Sequence, residues 1–292
     1  MPNALMQLDL TGYDLIISSE SGPAKGVCPS PDAFHLCYCH TPMRYIWDMY
    51  YEYAKKSNVL VRLFMKMISP KLRIWDVTSS NLVDHFVANS SFVAKRIKRY
   101  YNRDCDVVFP PCDIEKYINN PRNPQDYYLF FGQLVGYKRA DLAIEACIQS
   151  KRKIVVIGEG KSKQAKKYQK SGYVTFTGRV SDEQVADYLS KAKALLFPGI
   201  EDFGIIPVEA NSAGCPVLAY KKGGAIDSIK ENITGLFFEE QTVQSIIDCI
   251  NRFESMESQF TNREAYTAHV QQFSKNQFIQ KMSHLIEEKR HL

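Results

Sequence analysis

Short apolar runs alternate with longer amphipathic stretches along nearly the whole chain, and these runs lack the every-other-residue polarity of a half-exposed strand. Strands of that kind belong to parallel sheets covered on both faces, with the intervening stretches as covering helices. In the first half, strands are expected at 13–18, 34–39, 85–88 and 105–109, and helices at 46–56, 60–68, 72–84 and 91–101. A second series follows, with strands at 127–131, 153–157, 173–177, 194–197, 216–219 and 235–238. Its helices are expected at 140–149, 161–170, 181–192 and 207–213, with further helices to the end of the chain. Such a series makes a doubly wound domain whose ligand edge is the carboxyl end of its strands.

At 292 residues and 45% hydrophobic content, two such domains are affordable. The polar, proline-broken run 119–126 reads as a linker. The expected division is therefore a first domain over 1–118, a linker over 119–126, a second domain over 127–270, and a C-terminal helix over 271–292 that packs back on the first domain. No apolar run approaches the roughly 20 residues of a bilayer span, and the N-terminus lacks a basic stretch followed by an apolar one, so a cytoplasmic location is expected. Net charge is +5, with basic residues gathered over 62–73, 95–103 and 161–170. These read equally as solvated helix faces or as attraction to an anionic membrane surface. The eight cysteines have no framework spacing, which points to reduced thiols. Cys37 and Cys39 lie on one face of an apolar strand that His40 ends, and with no second ligand cluster following, no metal is expected there.

The most informative stretch for chemistry is Glu201-Asp202-Phe203-Gly204-Ile205-Ile206-Pro207-Val208-Glu209. Two carboxylates flank a Phe-Gly turn, the first after a strand and the second inside the first turns of a helix expected to open at Pro207. A helix N-terminus offers unpaired N–H groups to a diphosphate. Glu209 then suits a ribose diol, and Glu201 the hydroxyls of a donor sugar. Gly158 and Gly160 lack the third glycine of a dinucleotide fingerprint. Asp104 and Asp106 spell D-x-D at a strand entrance, away from this edge, and are not expected to bind a metal. Gly223 and Gly224 permit close approach of backbone to a ligand, or a plain turn.

That stretch, continued by Ala210-Asn211-Ser212-Ala213-Gly214-Cys215-Pro216-Val217, resembles the E-x-F-G-x4-E-A and small-x-G-x-P-V pattern of the retaining family 4 glycosyltransferases of GT-B fold. Three further segments resemble the same family in the same order: Phe130-Phe131-Gly132 through Lys138-Arg139, Gly158-Glu159-Gly160, and Thr177-Gly178-Arg179-Val180. His40-Thr41-Pro42-Met43-Arg44-Tyr45-Ile46-Trp47-Asp48 resembles its mannosyltransferase-like branch.

The resemblance implies an α/β chain of GT-B type with two Rossmann-like domains. Family members begin with a glycine-rich loop and further units ahead of the strand that 13–18 resembles, so the N-terminal domain is expected to be incomplete. The implied activity moves a hexose, mannose in the first instance, from a nucleotide sugar to a glycan or lipid-linked acceptor with retention. GDP-mannose is the favoured donor, with a UDP-sugar as the other. The alternatives are a shortened remnant that binds nucleotide sugar without turnover, and an epimerase acting on the sugar nucleotide itself. Catalytic roles fall to Glu201, His40 and Lys138. Substrate binding falls to Arg139, Glu209, Phe203, Gly204, Gly132, Gly160, Val180, Arg44 and Asn89. Arg139 stands in for a charge lost at Gln133, and Trp47 joins Arg44 in positioning acceptor. No metal, cofactor or nucleic acid is implied, and peripheral contact with the inner face of a membrane stays one of the two readings of the basic stretches.

Overall fold

The computed structural model describes residues 2–160 and 165–290. The chain divides into two compact units, residues 1–109 with 279–292, and residues 110–278. In the first unit the elements run α1 (Pro2–Met6), β1 (Leu15–Glu20), β2 (Phe34–Cys39), α2 (Tyr50–Lys56), α3 (Val59–Ser79), β3 (His85–Ala88), α4 (Ser91–Tyr101) and β4 (Cys105–Val107). The four strands form a parallel sheet in the order β1-β2-β3-β4. Its inner strands are buried on both faces, as their unbroken apolar sequence requires.

Two helical expectations differ from what is seen. The segment from Ile46 is a series of turns until α2 begins at Tyr50, because Arg73 Nε donates to the Ile46 carbonyl (2.6 Å) and buried Met43 and Ile46 pin the chain. Conversely, α3 runs unbroken through Pro70, where two helices were expected. Proline removes the donor to the carbonyl four residues earlier. That carbonyl belongs to Lys66, an exposed residue, so water can replace the lost bond.

Buried charge organises this unit. Lys25 is 0% exposed, and its ammonium pairs closely with Asp76 and lies 3.4 Å from Glu20 Oε1. Glu20 Oε2 accepts the Lys25 backbone N–H (2.9 Å), and Asp76 Oδ2 accepts from Trp47 Nε1 (2.7 Å) and the Tyr101 hydroxyl (3.0 Å). The ammonium also sits over the rings of Tyr101 and Trp75. Removing one partner from such a cluster strands an uncompensated charge.

The second unit contains α5 (Glu115–Ile118), β5 (Tyr128–Phe131), α6 (Ala140–Gln149), β6 (Ile154–Ile157), α7 (Ala165–Gln169), β7 (Val174–Gly178), α8 (Asp182–Lys191), β8 (Leu195–Phe197), α9 (Ile205–Ser212), β9 (Val217–Tyr220), α10 (Ala225–Ser228), β10 (Gly235–Phe238), α11 (Val243–Ser255) and α12 (Arg263–Val270). The last helix, α13 (Lys275–Arg290), runs from this unit into the other. Six parallel strands lie in the order β10-β9-β8-β5-β6-β7, with an apolar cluster on each face. Strand order reverses between β5 and β8, where ligands bind in such sheets. The helix expected over 161–170 is helical at Ala165–Gln169, while 161–164 lie outside the described residues. The helix expected to open at Pro207 opens instead at Ile205, with Gly204 as its cap. Pro207 is its third residue, where an N–H has no helical acceptor to lose.

Burial lifts the Glu20 carboxyl to about 7, against the opposing pull of Lys25. A carboxyl raised on folding stabilises fully below its unfolded value, and that contribution is lost as pH rises through the folded value. The thermal midpoint is therefore expected to fall as pH is raised from about 5 to about 8, and Glu20→Gln to flatten that fall. Parallel pH profiles for the two proteins would remove Glu20 as the cause.

Candidate functional site

At the point where strand order reverses, the chain leaving β5 turns through Gly132 and a short 3-10 segment, Gly136–Lys138. Lys138 is thereby carried to the exit of β8. Its Nζ lies 2.8 Å from Glu201 Oε1, with the side chains 14% and 18% exposed. The pair lacks the alignment of a hydrogen bond, so among the described residues this buried oxygen has an ammonium neighbour but no hydrogen-bond donor. Three glycines make the arrangement possible. A Cβ on Gly199 would sit 2.9 Å from Lys138 Cα, one on Gly223 would sit 2.5 Å from the Glu201 carbonyl oxygen, and one on Gly224 would sit 2.3 Å from Phe203 Cα. The Gly224 N–H donates to the Glu201 carbonyl (2.9 Å). The close approach allowed by Gly223 and Gly224 is thus to the backbone of 201–203.

Beside this pair lies a cleft of about 770 Å³ along the carboxyl ends of β5, β6 and β7. Gly132, Gln133, Tyr137, Lys138, Gly160, Arg179, Val180 and Ile206 are among the residues lining it. Gly158 and Gly160 let the Gly132 and Leu134 segment pass directly over them: a Cβ on Gly158 would sit 1.9 Å from the Gly132 carbonyl oxygen. Gly204 caps α9 in the left-handed region (φ 86°) and lends no side-chain oxygen to its N–H groups. Glu209, one turn on, is half-buried, and burial raises its carboxyl above the ordinary value. A hydrogen bond from Tyr117 in α5 works against that rise, while burial pushes the Tyr117 phenol up.

Not every expected residue joins this edge. Arg139 is in the left-handed region (φ 51°), and its guanidinium pairs with Asp141 at 3.2 Å. Phe203 is buried in the core, its ring 5.6 Å from that of Phe273. Lys138, Glu201, Gly132, Gly160 and Val180 are brought to one side of the second unit, with Glu209 and Gly204 on the adjacent helix. His40, Arg44 and Asn89 belong to the first unit. His40 Nε2 lies 2.9 Å from Ser19 Oγ, and its ring meets Tyr38 edge-on. Arg44 is half-buried in the turn after β2, its carbonyl accepting the Met49 N–H. Asn89 is buried, and Ser90 rather than Asn89 caps α4, accepting from the Val93 N–H (3.1 Å). Trp47 stacks on Tyr100 (4.5 Å) and donates to Asp76, which makes it part of the buried cluster. Asp104 and Asp106 pair with Lys98 and His85, each at 2.8 Å.

Tyr117, the hydrogen-bond partner of Glu209, is the neighbour that sequence reasoning missed. It precedes the second sheet by one short loop and carries no motif, so nothing in spacing ties it to Glu209.

The chain shares its fold with solved glycosyltransferases. Sucrose-phosphate synthase from Thermosynechococcus elongatus superposes with a TM-score of 0.73 at 18% identity, covering 95% of this chain and 74% of that one. HepE of Anabaena, in complex with UDP and glucose, gives 0.62 at 16% identity, covering 94% and 98%. The α/β fold of GT-B type is the one adopted. In sequence, human alpha-1,3/1,6-mannosyltransferase ALG2 is 25% identical over 246 residues, which are 71% of this chain and 56% of the human protein. The chain spans about half the length of the curated relatives it matches. The family described as "Glycosyl transferases group 1" matches residues 113–277, more than half of the chain and all of the glycine-held edge where Lys138 meets Glu201, and the chain belongs to that family.

Proposed function

We propose that this chain takes part in retaining transfer of a hexose, mannose from GDP-mannose in the first instance, to a glycan or lipid-linked acceptor. The observation that carries the reading is the Lys138–Glu201 pair beside the 770 Å³ cleft, at the reversal of strand order. A nucleoside diphosphate in that cleft brings negative charge to Lys138. The ammonium then shifts its pairing from Glu201 to the leaving phosphate, stabilising charge as the glycosidic bond to the diphosphate breaks. Glu201, released from its cation, accepts hydrogen bonds from the hydroxyls of the sugar. The uncapped N-terminus of α9 faces the same anion, and Glu209, steadied by Tyr117, accepts from the ribose diol. Retention rests on the family resemblance. His40, Arg44 and Asn89 are assigned on the same ground to the sugar and acceptor. The mannosyltransferase named among the relatives supports mannose as the sugar, and the UDP bound to HepE supports a nucleoside diphosphate.

Contact with an anionic membrane belongs to the same reading, since a lipid-linked acceptor resides there. On α3 the exposed residues Leu60, Leu63, Phe64, Met67 and Ile74 recur at helical spacing, and Lys66 and Lys71 are exposed among them. No carboxylate occurs between Glu52 and Asp76. Each such lysine contributes about 1 kcal/mol at an anionic surface. Vesicles containing phosphatidylglycerol are expected to sediment the chain in a salt-sensitive way, and Leu60→Ser with Phe64→Ser to abolish it. Equal binding to neutral vesicles, or none, would remove this contact.

Lys138→Ala is expected to lower kcat by about 2–4 kcal/mol of transition-state stabilisation. Glu201→Gln should also act on kcat, whereas Glu209→Gln and Tyr117→Phe should chiefly weaken GDP binding measured by calorimetry. A wild-type rate in Lys138→Ala, or indistinguishable effects of the two Glu variants on kcat and binding, would overturn these roles.

A further inference from the structure

The helix that carries Tyr117 cannot hold itself in place. α5 spans only Glu115–Ile118, and no side chain caps its first N–H groups. A single turn lacks the run of bonds that makes a helix stable alone, so its orientation is set by what grips it. The Cys112 N–H, just ahead of α5, donates to the Phe273 carbonyl (2.8 Å). Lys116 pairs with Asp182 at the start of α8 (2.5 Å), but the Asp182 side chain is 77% exposed, and ion pairs open to water contribute little. A further grip comes from Arg263, the first residue of α12, whose Nη2 donates to the carbonyls of Ile118 (2.7 Å) and Tyr117 (3.3 Å).

Arg263 has no acidic partner to account for its place. Among the described residues no carboxylate pairs with its guanidinium, and Nη1 is withdrawn from water without a hydrogen-bond partner. That nitrogen lies against Gly214, where an added Cβ would stand 2.1 Å from it. Gly214 has a φ of 71° and follows α9, the helix that carries Glu209. One side chain thus passes the end of α9 and closes on the end of α5. From α5 the Tyr117 phenol reaches back to α9 and hydrogen-bonds Glu209. Packing alone is the rival account, since Tyr117 is 3% exposed and lies in an apolar cluster on one face of the sheet. Apolar burial is non-directional, however, and does not by itself fix where a hydroxyl points. A tethered main chain does.

We infer that Arg263 is a positioning residue for the donor site: by holding the carbonyls of Tyr117 and Ile118 it directs the Tyr117 hydroxyl onto Glu209. Its consequence for nucleotide binding rests on the reading of Glu209 as the acceptor for a ribose diol. The tether itself does not.

Carbon-13 spectra of the chain with labelled glutamate carboxyls, titrated over pH without nucleotide, test it, with Glu209→Gln identifying the Glu209 signal. The groups that face this carboxyl are Tyr117 and Lys116 from α5, Cys112 and Asp113 ahead of it, and Asp182 from α8. The Tyr117 hydrogen bond holds the carboxyl down against its burial, so losing that bond raises the titration midpoint. Tyr117→Phe and Arg263→Gln are each expected to raise it by the same amount, and the double variant no further, because the two residues act in series. GDP affinity measured by calorimetry is expected to fall about three- to tenfold in each, the loss of one well-placed hydrogen bond. Arg263→Lys keeps the charge and loses the fork, and should raise the midpoint by less. It takes the place of Arg263→Gln if that variant does not fold. The inference is overturned by an unchanged or lowered midpoint in whichever Arg263 variant folds, or by a rise that adds to that of Tyr117→Phe, the mark of lost charge or loosened packing. Absence of GDP binding by the unsubstituted chain would overturn the donor reading instead, and the titration would still decide the role of Arg263.

Discussion

The candidate site depends on main-chain atoms passing one another at distances that no side chain permits. Gly199 under Lys138, Gly223 under Glu201 and Gly224 under Phe203 each leave less than 3 Å to the place where a Cβ would stand. Only with those side chains absent can the turns after β5, β8 and β9 converge around an ammonium and a carboxylate 2.8 Å apart. The pair is mostly withdrawn from water, a placement that costs desolvation and is weak evidence for stability. In the proposed transfer its value lies in being exchangeable. A phosphate arriving beside Lys138 offers it a second anion, and the carboxylate that loses the cation gains the capacity to accept from hydroxyl donors.

Glu201 and Glu209 look alike in the sequence and are set up differently. Glu201 faces a full positive charge and, among the described residues, has no hydrogen-bond donor at Oε1. Glu209 is half-buried, its carboxyl raised by that burial and drawn back by a phenol from α5. A ligand hydroxyl near Glu209 therefore meets an acceptor already oriented, and one near Glu201 meets an acceptor that must first part from its cation. Eight positions of sequence separate the two groups, while the difference between them is made by Lys138 and Tyr117, residues from outside that stretch.

Elements bounded by changes of composition were legible: β2, β3, β10, α4 and α6 fall where unbroken apolar runs and helical spacing place them. The glycine turns and the edge that gathers them were legible too, since a strand-to-helix junction in a doubly wound domain lies at the ligand edge. Proline was over-read. At Pro70 the freed carbonyl belongs to an exposed residue, and at Pro207 no helical bond existed to lose, so neither broke nor opened a helix. The Lys25, Glu20 and Asp76 cluster was invisible, because Asp76 is fifty-one positions from Lys25 and nothing in either segment announces a charge that will be fully buried. Trp47, read as a platform for acceptor, turned out to serve that cluster.

The two edges of the second sheet also differ for a reason built into its topology. Each helix that follows a strand begins at the carboxyl edge and ends at the amino edge, so free N–H groups collect on one side and free carbonyls on the other. The carboxyl edge consequently suits an anion presented directly to backbone and lysine. At the amino edge the last carbonyls of α8 accept from Arg122, and those of α5, the short helix ahead of this sheet, accept from Arg263. One arrangement of parallel strands thereby sets free main-chain donors at one end and acceptors at the other, where arginines meet some of them. The cations differ accordingly: Lys138 faces a carboxylate, whereas the two arginines are tethered to main-chain carbonyls.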